Sequence, residues 1–391
     1  MKTKIKADFI AYLCVLIFAL LFLYFGNRIA TNGLGLDFGF GLALQNDMDE
    51  MIVVPGRVER ILDVFEHHDE HFSFSWIEFE ARITEGEYRN EIVIAIQTRD
   101  EFFFGGLIKE VEPGDRILLT AFTEPIDERE WYFLSYVRIN RALYLGGAFA
   151  ALLLFFGRIK GLSALLSLGF TCSAIFAVFL PAVLSGRNIY IWAIIVCIFS
   201  IIVTLFLLNG INKKSYAAVA GCLGGVVGAG LITLFMNQVL LITGAIDADS
   251  RSLLALPIEN QIDLTALVFA GIIIGAVGAV MDVAVSISSA LWELKAQAPN
   301  MTFKDMFSSG INIGKDIIGS MTNTLVLAYI GSSLSIILIF IVYTNSLTEL
   351  LNSELVIVEL LQAIVGGMGI LLTMPLTALV CASLFADEQM S

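Results

Sequence analysis

The chain has 391 residues, 57% of them hydrophobic, with a mean hydropathy of +0.83 and a formal net charge of −14. An apolar share so far above the roughly 45–50% of a soluble domain excludes an ordinary globular protein and requires a polytopic membrane protein with the lipid bilayer as its solvent. The acid excess sets nucleic acid aside as a partner.

Runs of about 20 apolar residues span the hydrocarbon. They predict eight helices, near 8–26, 142–157, 161–184, 190–208, 216–241, 264–288, 318–343 and 357–386. Lys2, Lys4 and Lys6 precede the first, but no small-residue cleavage site follows it, so residues 1–26 read as a retained anchor. A Gly-rich connector over 27–50 leads to residues 51–141, where "MIVVPGRVERILDVF", "FSFSWIEFEARIT", "NEIVIAIQT", "DRILLTAFT" and "WYFLSYVRIN" alternate in the manner of strands. Turn signals such as Glu85-Gly86-Glu87 and Glu112-Pro113-Gly114-Asp115 separate them. Five short strands with this punctuation predict a small closed or nearly closed barrel, for which the OB type is a candidate.

The histidines cluster in "EHHDEHF" as His67, His68 and His71. Imidazoles among carboxylates are a weak candidate for zinc binding or pH sensing, against the plainer reading of a polar hairpin tip. No metal site is otherwise expected. The five cysteines, Cys14, Cys172, Cys197, Cys222 and Cys381, all fall in the spans, so no disulfide framework is expected.

Orientation follows from the basic residues, which collect in the short loops that stay in the cytoplasm. Lys2/Lys4/Lys6, Arg158/Lys160, Lys213/Lys214 and Lys295/Lys304/Lys315 fall at the N-terminus and in alternate connections. Both termini are expected inside and residues 27–141 outside. That outer segment holds 23 acidic against 11 basic residues, most of the chain's net charge.

Residues 142–391 read as a seven-helix membrane domain. One of its helices carries "GAVGAVMDVAVSISSALWEL", with Asp282 deep in an apolar run. An ionisable side chain near the middle of a bilayer costs roughly 2.5–3.5 kcal/mol on insertion scales. Gly271, Gly275, Gly278, Asp282, Ser286 and Ser289 share one helical face, which predicts a close helix contact that receives the carboxylate. In the next helix Asp316, Ser320, Asn323 and Thr324 share a face, with Asn323 expected near Asp282. Asp316 reads either as part of that set or as an N-cap or first-turn acid. The last helix aligns Glu359, Gln362, Gly366, Gly369, Thr373 and Thr377, so that three helices line a polar path with an acid near each end. Gly221, Gly224, Gly225 and Gly228 read as plain helix packing.

The stretch "GIIIGAVGAVMDVAVSISSALWELKAQAPNMTFKDMFSSGINIGKDIIGSMTNTLVLAYIGSSL", with "GRIKGLSALLSLGFT" and "NGINKKSYAAVAGCLGG" upstream, resembles the YibE/F-like family of bacterial membrane proteins. The resemblance covers nearly the whole chain, is most specific in the last three helices, and implies a place in the bacterial cell (plasma) membrane. More distantly, the acid-bearing helix, the segment with "FSSG" and the helix with "IGSMTNTLVL" are similar to the SecD/SecF branch of the RND superfamily. That similarity implies ion-motive-force coupling through Asp282. The chain departs from it in having about four helices instead of two before the acidic one, and a much smaller outer domain.

The leading expectation is a proton- or sodium-coupled transporter or extracytoplasmic machine. Asp282 would load the cation, Ser286, Asn323 and Thr322 or Thr324 would supply oxygens, and Glu359 would feed it. A non-transporting assembly or scaffold protein is the second reading, with a second family member or another copy as partner. An intramembrane aspartyl protease is remote, because neither Asp282 in "AVMD" nor Asp316 in "GKD" has the expected setting. No Walker loop, Ser–His–acid set or HExxH motif occurs, so no cofactor is implied and the chain is not read as an enzyme.

Overall fold

The computed structural model describes residues 2–31, 52–68, 73–100, 109–121, 130–255, 261–343 and 346–385. It divides into two compact units, Gly41–Leu152 and a second made of Met1–Phe40 with Leu153–Ser391.

Among the described residues the first unit is built on five strands, β1 (Ile52–His68), β2 (Ser73–Ile83), β3 (Ile92–Asp100), β4 (Arg116–Ala121) and β5 (Trp131–Tyr136). They close into a barrel in the order β1-β2-β3-β5-β4. β3 and β5 pair in parallel and the other neighbours antiparallel. Period-2 patterning explains the closure: Ile77, Phe79, Ala81 and Ile83 of β2 point inward with Val58, Ala95, Ile117 and Leu119. Between them Glu78, Glu80 and Arg82 point outward, and Glu80 accepts from Arg60 Nε across the β1–β2 ladder at 2.7 Å. Register shifts at Val58/Arg60 and Ile61/Asp63 bend the long β1 so that it reaches both neighbours. Gly56, paired with both β2 and β4, leaves room for the opposite strand, as a Cβ there would come within 2.9 Å of Leu119 Cδ1. The fully buried Gln97 accepts from Val111 N and donates to the Lys109 carbonyl, both at 3.0 Å. His67 and His68 end β1, and His71 lies outside the described residues. Among the described residues no group of His, Cys, Asp or Glu is placed to hold a metal ion.

The second unit is helical, and the first turns of the helix that begins at Ile139 belong to the first unit as far as Leu152. Among the described residues six stretches are long and apolar enough to cross a membrane by length and composition: Ile10–Ala30, Ile139–Leu184, Ile189–Asn209, Lys213–Val239, Leu264–Gln297 and Glu354–Phe385. The first belongs to α1 (Lys2–Ala30). The second, of 46 residues, starts with α2 (Ile139–Ala174), which is broken at Arg158 by a φ of 48°. A Cβ at Gly161 would lie 2.1 Å from the Leu153 carbonyl oxygen. On a straight helix eight residues climb about 12 Å, so the chain doubles back at Arg158, between the two spans expected over 142–157 and 161–184. A turn of π-helix, Ile175–Phe179, then leads into α3 (Leu180–Leu184). Pro181 has no amide for the Ala177 carbonyl. Asn27 Nδ2 of α1 donates to that oxygen at 2.6 Å, tying the anchor helix into the bundle.

The remaining helices start where side-chain caps dictate. Asn188 opens α4 (Ile189–Asn209), Asn212 opens α5 (Lys213–Val239), Asp247 opens the short α6 (Ala248–Ser252) and Asp263 opens α7 (Leu264–Gln297). Thr302 and Asp305 form a capping box at the head of α8 (Phe303–Ser332), which holds the Asp305 carboxyl below its ordinary range through the Thr302 hydroxyl and amide. Helix α8 therefore begins fifteen residues before the expected 318. It passes through Ser333 into α9 (Leu334–Tyr343), and α10 (Leu347–Asn352) precedes α11 (Glu354–Phe385).

Helix α11 packs on α5, α7 and α8. Against α5, the glycine stripe read as packing is just that. A methyl at Gly221 would lie 1.9 Å from Thr377 Oγ1, and one at Gly225 would lie 1.8 Å from Thr373 Oγ1. At the opposite end of the contact Glu354 accepts from Thr243 N (2.7 Å), Gly244 N (2.6 Å) and Thr243 Oγ1 (2.8 Å). Thr265 of α7 donates to the Ile242 and Thr243 carbonyls at 3.2 Å, which brings a third helix into the same knot. Gly225→Ala should lower thermal stability in detergent by about 1–3 kcal/mol, the usual cost of overpacking. Thr373→Ala in the same chain should recover part of it by removing the nearest atom, whereas an unchanged melting temperature in Gly225→Ala would show the contact to be loose.

Candidate functional site

Helix α7 is apolar on nearly every side, so bulk decides which side packs. Phe269, Ile272, Ile273, Val277, Val280, Val283, Ile287 and Leu291 are buried. The small-residue stripe is divided: Gly275 makes the close helix contact expected for it, whereas Gly271, Gly278 and Asp282 are left on the open side. Gly271 and Gly278 would meet nothing within 4 Å if they carried a Cβ, and Asp282 is exposed on the protein surface. Ser286 is half-buried beside it. Shape complementarity is better served by branched and aromatic side chains meeting α4, α5 and α11 than by a bare backbone.

Asp282 makes no hydrogen bond or ion pair among the described residues. Cys222 of α5, whose thiol lies 3.8 Å from the Val280 carbonyl, is within electrostatic reach of it. Asn323 is also exposed, and no bond joins it to Asp282. Thr324 is exposed too, its hydroxyl donating to the Ser320 carbonyl at 2.8 Å in its own helix. Asp316 lies well inside α8, which starts at Phe303, so the alternative of an N-cap or first-turn acid is ruled out.

The polar contact that does form is one helical turn or more away. On α8, Thr322, Leu325 and Tyr329 share a face that meets α11: Thr322 Cγ2 lies 3.3 Å from where Gly367 would carry a Cβ, and Leu325 Cδ2 lies 2.7 Å from that of Gly366. Tyr329 continues past α11 to α7, where Gly275 makes room for it. A Cβ at Gly275 would stand 2.6 Å from Tyr329 Oη and 3.3 Å from Gln362 Nε2. Glu359, three residues before Gln362 on α11, acts on the tyrosine electrostatically and is half-buried. Among the described residues neither Tyr329 Oη nor Thr322 Oγ1, both buried, has a hydrogen bond of normal length, Gln362 being the polar neighbour that acts on the tyrosine hydroxyl. The lower part of the polar face expected on α11 does not join this group, because Thr373 and Thr377 are fully buried against the α5 glycines.

The structure thus gathers Gly275, Thr322, Tyr329, Gln362, Glu359 and Gly366 around one crossing of three helices, with Asp282 two turns along α7 on the open side. Tyr329 and its role were not foreseen from the sequence. The available signal was its spacing: seven residues after Thr322, it must share that residue's face.

Apolar helices of membrane-spanning length, an unpaired acid on one of them and a small β-barrel define an integral membrane protein of the polytopic class. Residues 145–387 match the YibE/F-like protein family, and the chain belongs to it. No curated protein and no solved structure matches the chain.

Buried hydroxyls without a hydrogen bond of normal length each cost about 1–3 kcal/mol. Tyr329→Phe should therefore leave thermal stability in detergent unchanged or raise it. Gly275→Ala should lower it, and the double variant Gly275→Ala/Tyr329→Phe should regain most of the loss, since the nearest atom to the new methyl is the phenolic oxygen. Destabilisation by Tyr329→Phe alone would mean that the hydroxyl has a partner that holds the three helices together.

Proposed function

We propose that the protein is a proton- or sodium-coupled membrane transporter or ion-driven extracytoplasmic machine, acting without enzymatic chemistry of its own. The observation that carries this reading is Asp282, a carboxylate with no partner halfway along a membrane-length helix. Acids placed so are expensive and characteristically mark ion or proton pathways. The route that fits begins at Glu359, passes the Tyr329 and Gln362 side chains at Gly275, and follows the bare backbone at Gly278 to Asp282. Seven residues separate Gly275 from Asp282, about 10.5 Å along the axis, with only glycine between them on that stripe. A hydrated cation or a short water chain fits such a floor, with the Tyr329 and Thr322 hydroxyls offering lone pairs. Oxygens from Asn323 and Thr324, expected earlier, play no part in it.

In this reading eight spans cross the plasma membrane. Both termini are cytoplasmic, residues 27–141 lie outside, and the strand order 1-2-3-5-4 with a parallel β3–β5 pair supports an OB-type barrel. The competing reading, a scaffold whose open α7 face docks a second copy or family member, rests on the same exposure of Gly271 and Gly278.

Single cysteines at Glu87 and Asn300, in a background without the native five, test the topology. An impermeant thiol reagent applied to intact cells should label the first only, and equal labelling of both would invalidate the orientation. The coupling test pairs thermal stability with ion flux in proteoliposomes. Asp282→Asn should fold normally and lose flux at least about a hundredfold, while Asp282→Glu retains part of it. An Asn variant with full flux removes Asp282 from the pathway and leaves the scaffold reading in place.

A further inference from the structure

The barrel unit carries a second site, of opposite charge to its surroundings. Where β4 and β5 meet the first turns of α2, a cavity of about 800 Å³ is lined by Arg116, Arg138 and Arg141, with Phe133, Tyr136 and Tyr144 as its aromatic wall. That size suits a small ligand or a headgroup. Over residues 27–141 acids outnumber bases two to one, so three guanidiniums converging on one cavity run against the composition of the segment.

The charges in this cavity are not used internally. The other cation in it, Lys109, is paired with Glu112 at 3.4 Å and Asp115 at 3.5 Å. The cavity's acid, Asp115, is occupied by that lysine and by the Glu112 amide at 3.0 Å. Arg116, Arg138 and Arg141 make no ion pair among the described residues. Arg138 stands over the Tyr136 ring at 5.8 Å, and the Tyr136 hydroxyl is fixed by the Lys109 carbonyl at 2.7 Å. The ring thus holds one guanidinium by its face and leaves the donor edge free. Phe133 and Tyr136 meet edge to face at 5.1 Å, which makes the wall rigid.

We propose that this cavity binds a phosphate-bearing anion, supplied by the headgroup of an anionic glycerophospholipid. Guanidinium forks match phosphate oxygens two at a time, and three of them offset one or two negative charges. The lipid is the source favoured by position. Arg138, Arg141 and Tyr144 directly precede the apolar run Leu145–Phe156 of a membrane-length helix, the height at which Tyr and Arg meet headgroups. The proposal does not depend on ion coupling, and its test reads binding alone.

The experiment titrates the full-length protein in neutral detergent with short-chain phosphatidylglycerol, phosphatidylcholine and inorganic phosphate by calorimetry. Wild type should bind phosphatidylglycerol at least about tenfold more tightly than phosphatidylcholine, and less tightly as salt rises. The variant Arg116→Gln/Arg138→Gln/Arg141→Gln, altered only at exposed positions, should keep its melting temperature and lose that preference. The corresponding triple lysine variant should keep part of it. Competition by inorganic phosphate in wild type but not in the glutamine variant supports the phosphate site and extends its occupants to soluble phosphates. Equal phosphatidylglycerol affinity in wild type and the glutamine variant overturns the proposal.

Discussion

In a bilayer the tails dissolve a leucine as well as a neighbouring helix does, so helices stay together by close packing. Helix α11 supplies that packing here for three partners at once. Its Thr373 and Thr377 fill the notches at Gly225 and Gly221 of α5, its Gly369 receives Val280 of α7 and Ala229 of α5, and its Gly366 receives Leu325 of α8. Gly310 near the start of α8 admits Ala378 in the same way. With α11 fixed on three sides, the crossing of Tyr329, Gly275 and Gln362 has little freedom, and the site depends on this contact.

The acids of the helical unit then sort themselves by whether the fold uses them. Asp247, Asp263, Asp305 and Glu354 each accept from backbone amides at helix ends or turns. Local structure accounts for them, and mutation of any would be read as loss of a cap. Among the described residues Asp282 and Glu359 have no such partner, and both lie on membrane-length helices that meet at the Gly275 crossing. The contrast is a stronger guide than hydropathy, which registers each acid equally.

Much of the architecture could be read in the sequence because two periods dominate it. The five strands fall where alternating residues predict, and the helix ends follow their Asn, Asp and Thr caps. The side on which α7 packs could not be read, for a helix apolar all round carries no phase information. A stripe of glycines is equally compatible with a tight contact, as on α5 and at Gly275, or with a bare face, as at Gly271 and Gly278 of α7. Asn323 and Thr322 show how little separates the outcomes: one residue turns the side chain by about 100°, from the α11 contact to the surface. The Glu354 bonds to Thr243 and Gly244 were out of reach as well, joining residues 110 and 111 positions apart with no motif to announce them.

That last arrangement has a mechanical meaning. The tail of α5 and the heads of α7 and α11 are lashed together at Thr243, Gly244, Thr265 and Glu354, in a turn where Gly244 has a φ of 81° and no space for a side chain beside Leu264. Three rods joined at one end resemble a tripod with its apex at Glu354. Helix α7 is about 51 Å long and Asp282 lies about 27 Å from its start, so a tilt of about 2° about the apex moves that carboxylate by about 1 Å and the far end by nearly twice as much. The lever arm grows steadily from Gly275 to Asp282, which makes the tyrosine crossing the quiet end of the stripe and the aspartate the end that feels displacement.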